Sequence, residues 1–136
     1  MIPERLSPER FATAVADRLS AVMPRGLSVR AEGTTVSLYD PSCWPASSAA
    51  EIMTDDDDRS IVERVETAAR SILNATQDVV MESTREQWPR PTGAANAPYP
   101  DARIVGERLQ MWFGDEAAPA LRLEPVDLTE LANGAA

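Results

Sequence analysis

Histidine and lysine are both missing from this sequence, and its thirteen basic residues are all arginine. Without an imidazole there is no base for a Ser–His–Asp or Cys–His nucleophile. A Schiff-base lysine is excluded, and so is the lysine of a Walker-A phosphate loop. Cysteine occurs once, at Cys43, so no internal disulfide can form and a Cys/His zinc site lacks its ligands. The acid–base groups left are carboxylates, Tyr39, Tyr99 and one thiol. No catalytic residue and no cofactor is expected from so thin an inventory.

Long apolar runs are absent as well. No stretch of ~18 apolar residues exists to span a bilayer. The segment Met1 to Phe11 carries Glu4, Arg5, Glu9 and Arg10, which argues against a signal peptide and for the cytoplasm. Positive charge is scarce: the net charge is −9 and the pI near 4.4. Nucleic-acid phosphates and anionic lipid surfaces would both be repelled, so the expected partner is another protein. Glycine is missing between Gly33 and Gly93. The acidic run Thr54-Asp55-Asp56-Asp57-Asp58 therefore lacks the central glycine, and the alternating ligands, of a calcium loop. Those four aspartates are expected to favour the start of a helix, where anions gain ~0.3–1 kcal/mol. A weak Mg²⁺ or Ca²⁺ site there, with Glu51, is the alternative.

The dominant pattern runs from Arg59 to Thr84. Ile61, Val65, Ala68, Ile72, Ala75 and Val79 fall at alternating spacings of four and three, with Glu63, Arg64, Glu66, Arg70 and Asp78 opposite. That predicts one amphipathic helix of about 39 Å, long enough to cross a small domain.

Before it, Ser7-Pro8-Glu9 opens a helix predicted over Pro8 to Met23, with Leu6 and Phe11 at the positions of a hydrophobic staple. Leu27, Val29, Ala31, Val36 and Leu38 alternate with polar residues around Glu32-Gly33-Thr34, which predicts a hairpin. Residues 41–58 read as irregular, with a short helical turn from Ala49 to Met53 behind a Ser48/Glu51 capping box. Cys43-Trp44-Pro45 there is expected to pack on a core edge; a reactive thiol would need a nearby positive charge.

After the long helix, residues 87–101 contain Pro89, Pro91, Pro98 and Pro100 and form a long loop, with Trp88 and Tyr99 expected to pin its ends. Three strands follow, at Ala102 to Val105, around Leu109 to Phe113, and around Leu121 to Glu124, with Pro125 marking an edge. Val126, Leu128 and Leu131 are expected to lie back over the body before a frayed tail at 132–136. The resulting expectation is a single α+β domain over 1–136. Its mostly antiparallel sheet of four to five strands has one long and one shorter helix on one face. Trp112 would then project from the uncovered face beside Arg108, Gln110 and Arg122, unless Tyr39 or the Pro-rich loop covers it.

The order helix, hairpin, long helix, strands, from Pro8 to about Leu123, resembles the secretion-chaperone-like fold of type III secretion chaperones. That family has three strands ahead of its long helix where the hairpin here supplies two. In composition the chain resembles small acidic proteins of high-GC bacteria. The fold resemblance implies a dimer that binds other proteins and assigns no residue. Together with the missing catalytic groups, it leads to the expectation of a non-enzymatic protein-interaction module, adaptor or chaperone-like and homodimeric. Its candidate partner-binding residues are Trp112, Arg108, Gln110, Arg122, Trp88 and Tyr99. A carboxylate-based enzyme, a divalent-cation binder or a small-ligand protein are the alternatives.

Overall fold

The computed structural model describes residues 6–39, 46–49, 60–89 and 98–132, the second of these as backbone only. Helix α1 (Pro8–Ser20) starts as its sequence requires. Ser7 Oγ accepts a hydrogen bond from the Arg10 N–H at 3.2 Å, and Pro8 sits where a missing N–H costs nothing. Leu6 and Phe11 close the staple, both buried. The helix stops at Ser20 rather than Met23, because the Val22 N–H turns back to the Leu19 carbonyl at 3.0 Å ahead of Pro24.

Strands β1 (Ser28–Glu32) and β2 (Thr35–Tyr39) form the hairpin, with Val29 opposite Leu38 and Ala31 opposite Val36. A third strand, β3 (Ala46–Ala49), adds antiparallel to β2. This corrects the helical turn expected from Ala49: that residue ends a strand, and 50–53 lie outside the described residues. Pairing satisfies the backbone groups along the free side of β2, which a single helical turn would leave open.

Helix α2 (Ile61–Thr84) is unbroken, and Val65, Ala69, Ile72, Leu73 and Val80 on it are fully buried. Its described cap is Ser60, whose Oγ accepts from the Glu63 N–H at 3.2 Å. The run Asp55 to Asp58, expected to perform that task, lies outside the described residues. At the other end Arg85 takes the left-handed conformation (φ 60°), and its N–H bonds the Met81 carbonyl at 2.9 Å.

The last third supplies β4 (Pro100–Val105), β5 (Arg108–Asp115), β6 (Ala118–Arg122), the short β7 (Val126–Asp127) and a 3-10 turn (Leu128–Leu131). β5 is central, with β4 on one side and β6 and β7 on the other. Val126, Leu128 and Leu131 are buried, and the Ser7 N–H donates to the Leu131 carbonyl at 2.7 Å. Ala132, assigned to a frayed tail from sequence, instead bridges Leu6.

The chain is thus α+β, with one long and one shorter helix and antiparallel pairing throughout. The strands divide between two sheets, β1-β2-β3 and β4 to β7, where the sequence pattern suggested one. The reason lies in α2. It packs against β2 and β3 of the first sheet and β4 and β5 of the second, and its side chains occupy the outer edge of β4 where another strand would join. One continuous core, drawn from both helices and both sheets, lies between them.

Candidate functional site

In the second sheet the pleat sends alternate residues to opposite faces. Ala102, Leu109, Met111, Phe113 and Leu123 point inward and are essentially inaccessible. Asp101 pairs with Trp112, Arg103 with Gln110, Val105 with Arg108, and Trp112 with Arg122, so these seven share the outer face.

Trp112 is on that outer face as expected, yet it is only 2% exposed and corrects the expectation of a projecting aromatic. Arg122 is one reason. Its guanidinium carbon lies 6.0 Å from the indole centroid, while Nη1 donates to Gln110 Oε1 at 2.8 Å and Nη2 to the Glu116 carbonyl at 3.1 Å. A long side chain on the edge strand is thereby fixed beside the aromatic of the central strand. Arg103 is paired with Glu116, and the exposed Arg108 stands across from Asp127 of β7. The face is charged but balanced.

Among the described residues, Tyr99 is the aromatic left outside. It is 80% exposed; among the described residues Val105, at 47%, is the other exposed large hydrophobic. Its side chain borders a shallow groove of about 310 Å³ lined by Thr67, Arg70, Ser71, Asn74 and Pro100. The ring is free, but the backbone beneath it is tied down. The Tyr99 carbonyl accepts from the Gly114 N–H at 2.8 Å, and the Pro98 carbonyl accepts from Gln77 Nε2 at 2.6 Å.

Tyr99 therefore does not pin the Pro-rich segment through its ring, as the sequence suggested. Gln77 does so instead: it is 4% exposed, and its amide nitrogen donates both to Pro98 and to the Trp88 carbonyl at 3.2 Å. Trp88 does pin its end, packing edge-on against Phe113 with centroids 5.2 Å apart. Sequence reasoning missed Gln77. The available signal was an amide set among Leu73, Thr76 and Val80 on the buried side of an amphipathic helix.

Both edges of this sheet are guarded. Along β4, Glu66 Oε2 accepts from the Ile104 N–H at 2.7 Å, Arg70 Nη1 donates to the Ala102 carbonyl at 3.3 Å, and Asp101 accepts from the Ala102 N–H at 2.8 Å. Along β6, Pro119 removes a donor and a register shift opposite Phe113/Gly114 breaks the ladder. These features oppose edge-to-edge growth, strongly along β4 and through Pro119 along β6.

Cys43, Trp44, Glu51 and Asp55 to Asp58 lie outside the described residues. Among those described, no group of three or more acidic or cysteine residues is arranged to hold a metal ion, and no helix is long and apolar enough to cross a membrane. On the first sheet the Tyr39 hydroxyl donates to the Glu32 carboxylate, with the Arg30 guanidinium 5.2 Å from the ring centroid. The bond to Glu32 raises the Tyr39 pKa above its ordinary value, with desolvation and the Glu32 charge adding to it. No family model, curated protein or solved structure matches this chain.

Proposed function

We propose that the chain is a protein-interaction module that docks another protein across the outer face of its second sheet and the groove between α2 and the start of β4, with Tyr99 in that groove as the anchor. The supporting observation is an 80%-exposed tyrosine on a backbone secured at two successive carbonyls. A rigid aromatic costs little entropy to bury, and tyrosine is enriched at the energetic centres of interfaces. The groove beside it and the half-exposed Val105 extend the contact. Arg103, Arg108 and Arg122 with Gln110 supply the polar rim, and Trp112 stiffens the platform from within.

With β3 in place, three strands precede the long helix, the order that the secretion-chaperone-like resemblance implies. An adaptor or chaperone-like role in the cytoplasm fits that order. Self-association of the second sheet, as a homodimer, would use its face, since the β4 edge is covered by α2 side chains and the β6 edge carries Pro119.

The test is a comparison of variants as bait in extract from the native cells. Tyr99→Ala should lose the protein that the wild type retains, at unchanged melting temperature, while a control change at exposed Arg25 should keep it. Retention of the same protein by Tyr99→Ala would remove Tyr99 as the anchor. Sedimentation of both forms addresses the homodimer.

A further inference from the structure

We infer that Gln77 is the positioning residue of the Tyr99 surface, a strap that fixes the backbone carrying the aromatic from inside the fold. The inference rests on the docking role proposed for Tyr99, but its structural half can be tested alone. Gln77 sits on the buried side of α2, 4% exposed, and reaches two carbonyls far apart in sequence, Trp88 and Pro98. A primary amide is suited to this junction because it offers two N–H donors without a charge. A carboxylate of the same shape offers none and would face two carbonyl oxygens across a buried gap.

The consequence reaches Tyr99 through one peptide unit. Pro98 carries the carbonyl bound by Gln77, and Tyr99 carries the next, bound by the Gly114 N–H. With both held, the Cα–Cβ direction of Tyr99 is set at the rim of the groove lined by Thr67, Ser71 and Asn74. With the Gln77 bond gone, Tyr99 hangs from a single hydrogen bond at the very start of β4. The side chain would remain exposed but its Cα–Cβ direction would vary, and a partner would have to order the backbone on binding.

Wild-type protein gives the first test, by NMR. Both Gln77 side-chain amide protons should exchange slowly, and cross-hydrogen-bond couplings should connect Nε2 to the Trp88 and Pro98 carbonyls. Fast exchange with no coupling overturns the inference without recourse to any variant. The second test compares Gln77→Glu and Gln77→Met by hydrogen exchange. The Gly114 amide should exchange at least about tenfold faster in each while the Gln110 amide keeps its protection. A protected Gly114 amide in a folded Gln77→Met protein also overturns the inference. Tyr99→Ala separates the two proposals: it should leave Gly114 protection intact and abolish partner retention. If partner retention survives Tyr99→Ala, the docking proposal fails; if the Gly114 amide stays protected without Gln77, the strap fails.

Discussion

Glu66, on the long helix, accepts a hydrogen bond from the backbone N–H of Ile104 at 2.7 Å, and so closes the edge of a strand with a side chain. One turn on, Arg70 does the same for the Ala102 carbonyl. The helix does more than cover the core here: it takes the place of the next strand. Glu66→Ala should cost about 1–2 kcal/mol, the worth of a charge-assisted bond to a part-buried donor. It should also bring concentration-dependent association through the bared edge. Urea unfolding and sedimentation velocity measure the two effects; a variant as stable and as monodisperse as the wild type would show that the edge needs no guard.

Trp112 and Tyr99 should behave in opposite ways. Trp112→Ala empties a buried site and should destabilise by about 3–5 kcal/mol. Tyr99→Ala removes an exposed ring and should stay within about 0.5 kcal/mol of wild type. Chemical denaturation of the two variants side by side decides it, and equal stabilities would contradict the described packing.

Gly114 has φ +102°, and a Cβ built there would stand 3.1 Å from the Ala120 nitrogen and 3.4 Å from Pro98 Cβ. Space and conformation both oppose a side chain. Gly114→Ala should therefore cost about 1–3 kcal/mol. It should also disturb the bond to the Tyr99 carbonyl, seen as faster exchange of the residue-114 amide.

Arg85 ends α2 in the left-handed conformation that glycine adopts without strain. Arg85→Gly should raise stability by about 0.5–1 kcal/mol. Calorimetry should show a higher melting temperature; a lower one would mean that the arginine side chain contributes more than its backbone costs.

Tyr39 should titrate above the ordinary tyrosine pKa of about 10. The folded-state pKa is the raised one, so the hydrogen bond to Glu32 stabilises fully below the unfolded-state pKa. Its contribution disappears as pH rises through the folded-state value. Ultraviolet titration of a Tyr99→Phe protein isolates this ring. Glu32→Gln should bring the midpoint back down, and an unmoved midpoint would show that Glu32 is not the cause.

The two helices, the hairpin and the three later strands were legible from residue order, because period and caps are local properties. Ser7, Pro8 and the four-three spacing through α2 carry that information in a few neighbouring positions. Residues 46–49 were misjudged for the complementary reason. Their pairing with β2 is a non-local choice, and Ser48 with Glu51 imitates a helix cap.

Sequence alone determined that a long amphipathic rod would sit among antiparallel strands, and that the usual nucleophile, lysine and zinc chemistries lack their residues. Only the tertiary structure decided which aromatic faces outward. Alternation places Trp112 on a side of the sheet but says nothing of Arg122 folding beside it, nor of Gln77 holding the backbone beneath Tyr99. Exposure is a property of what else arrives at a surface, and those neighbours come from parts of the chain that no local pattern connects.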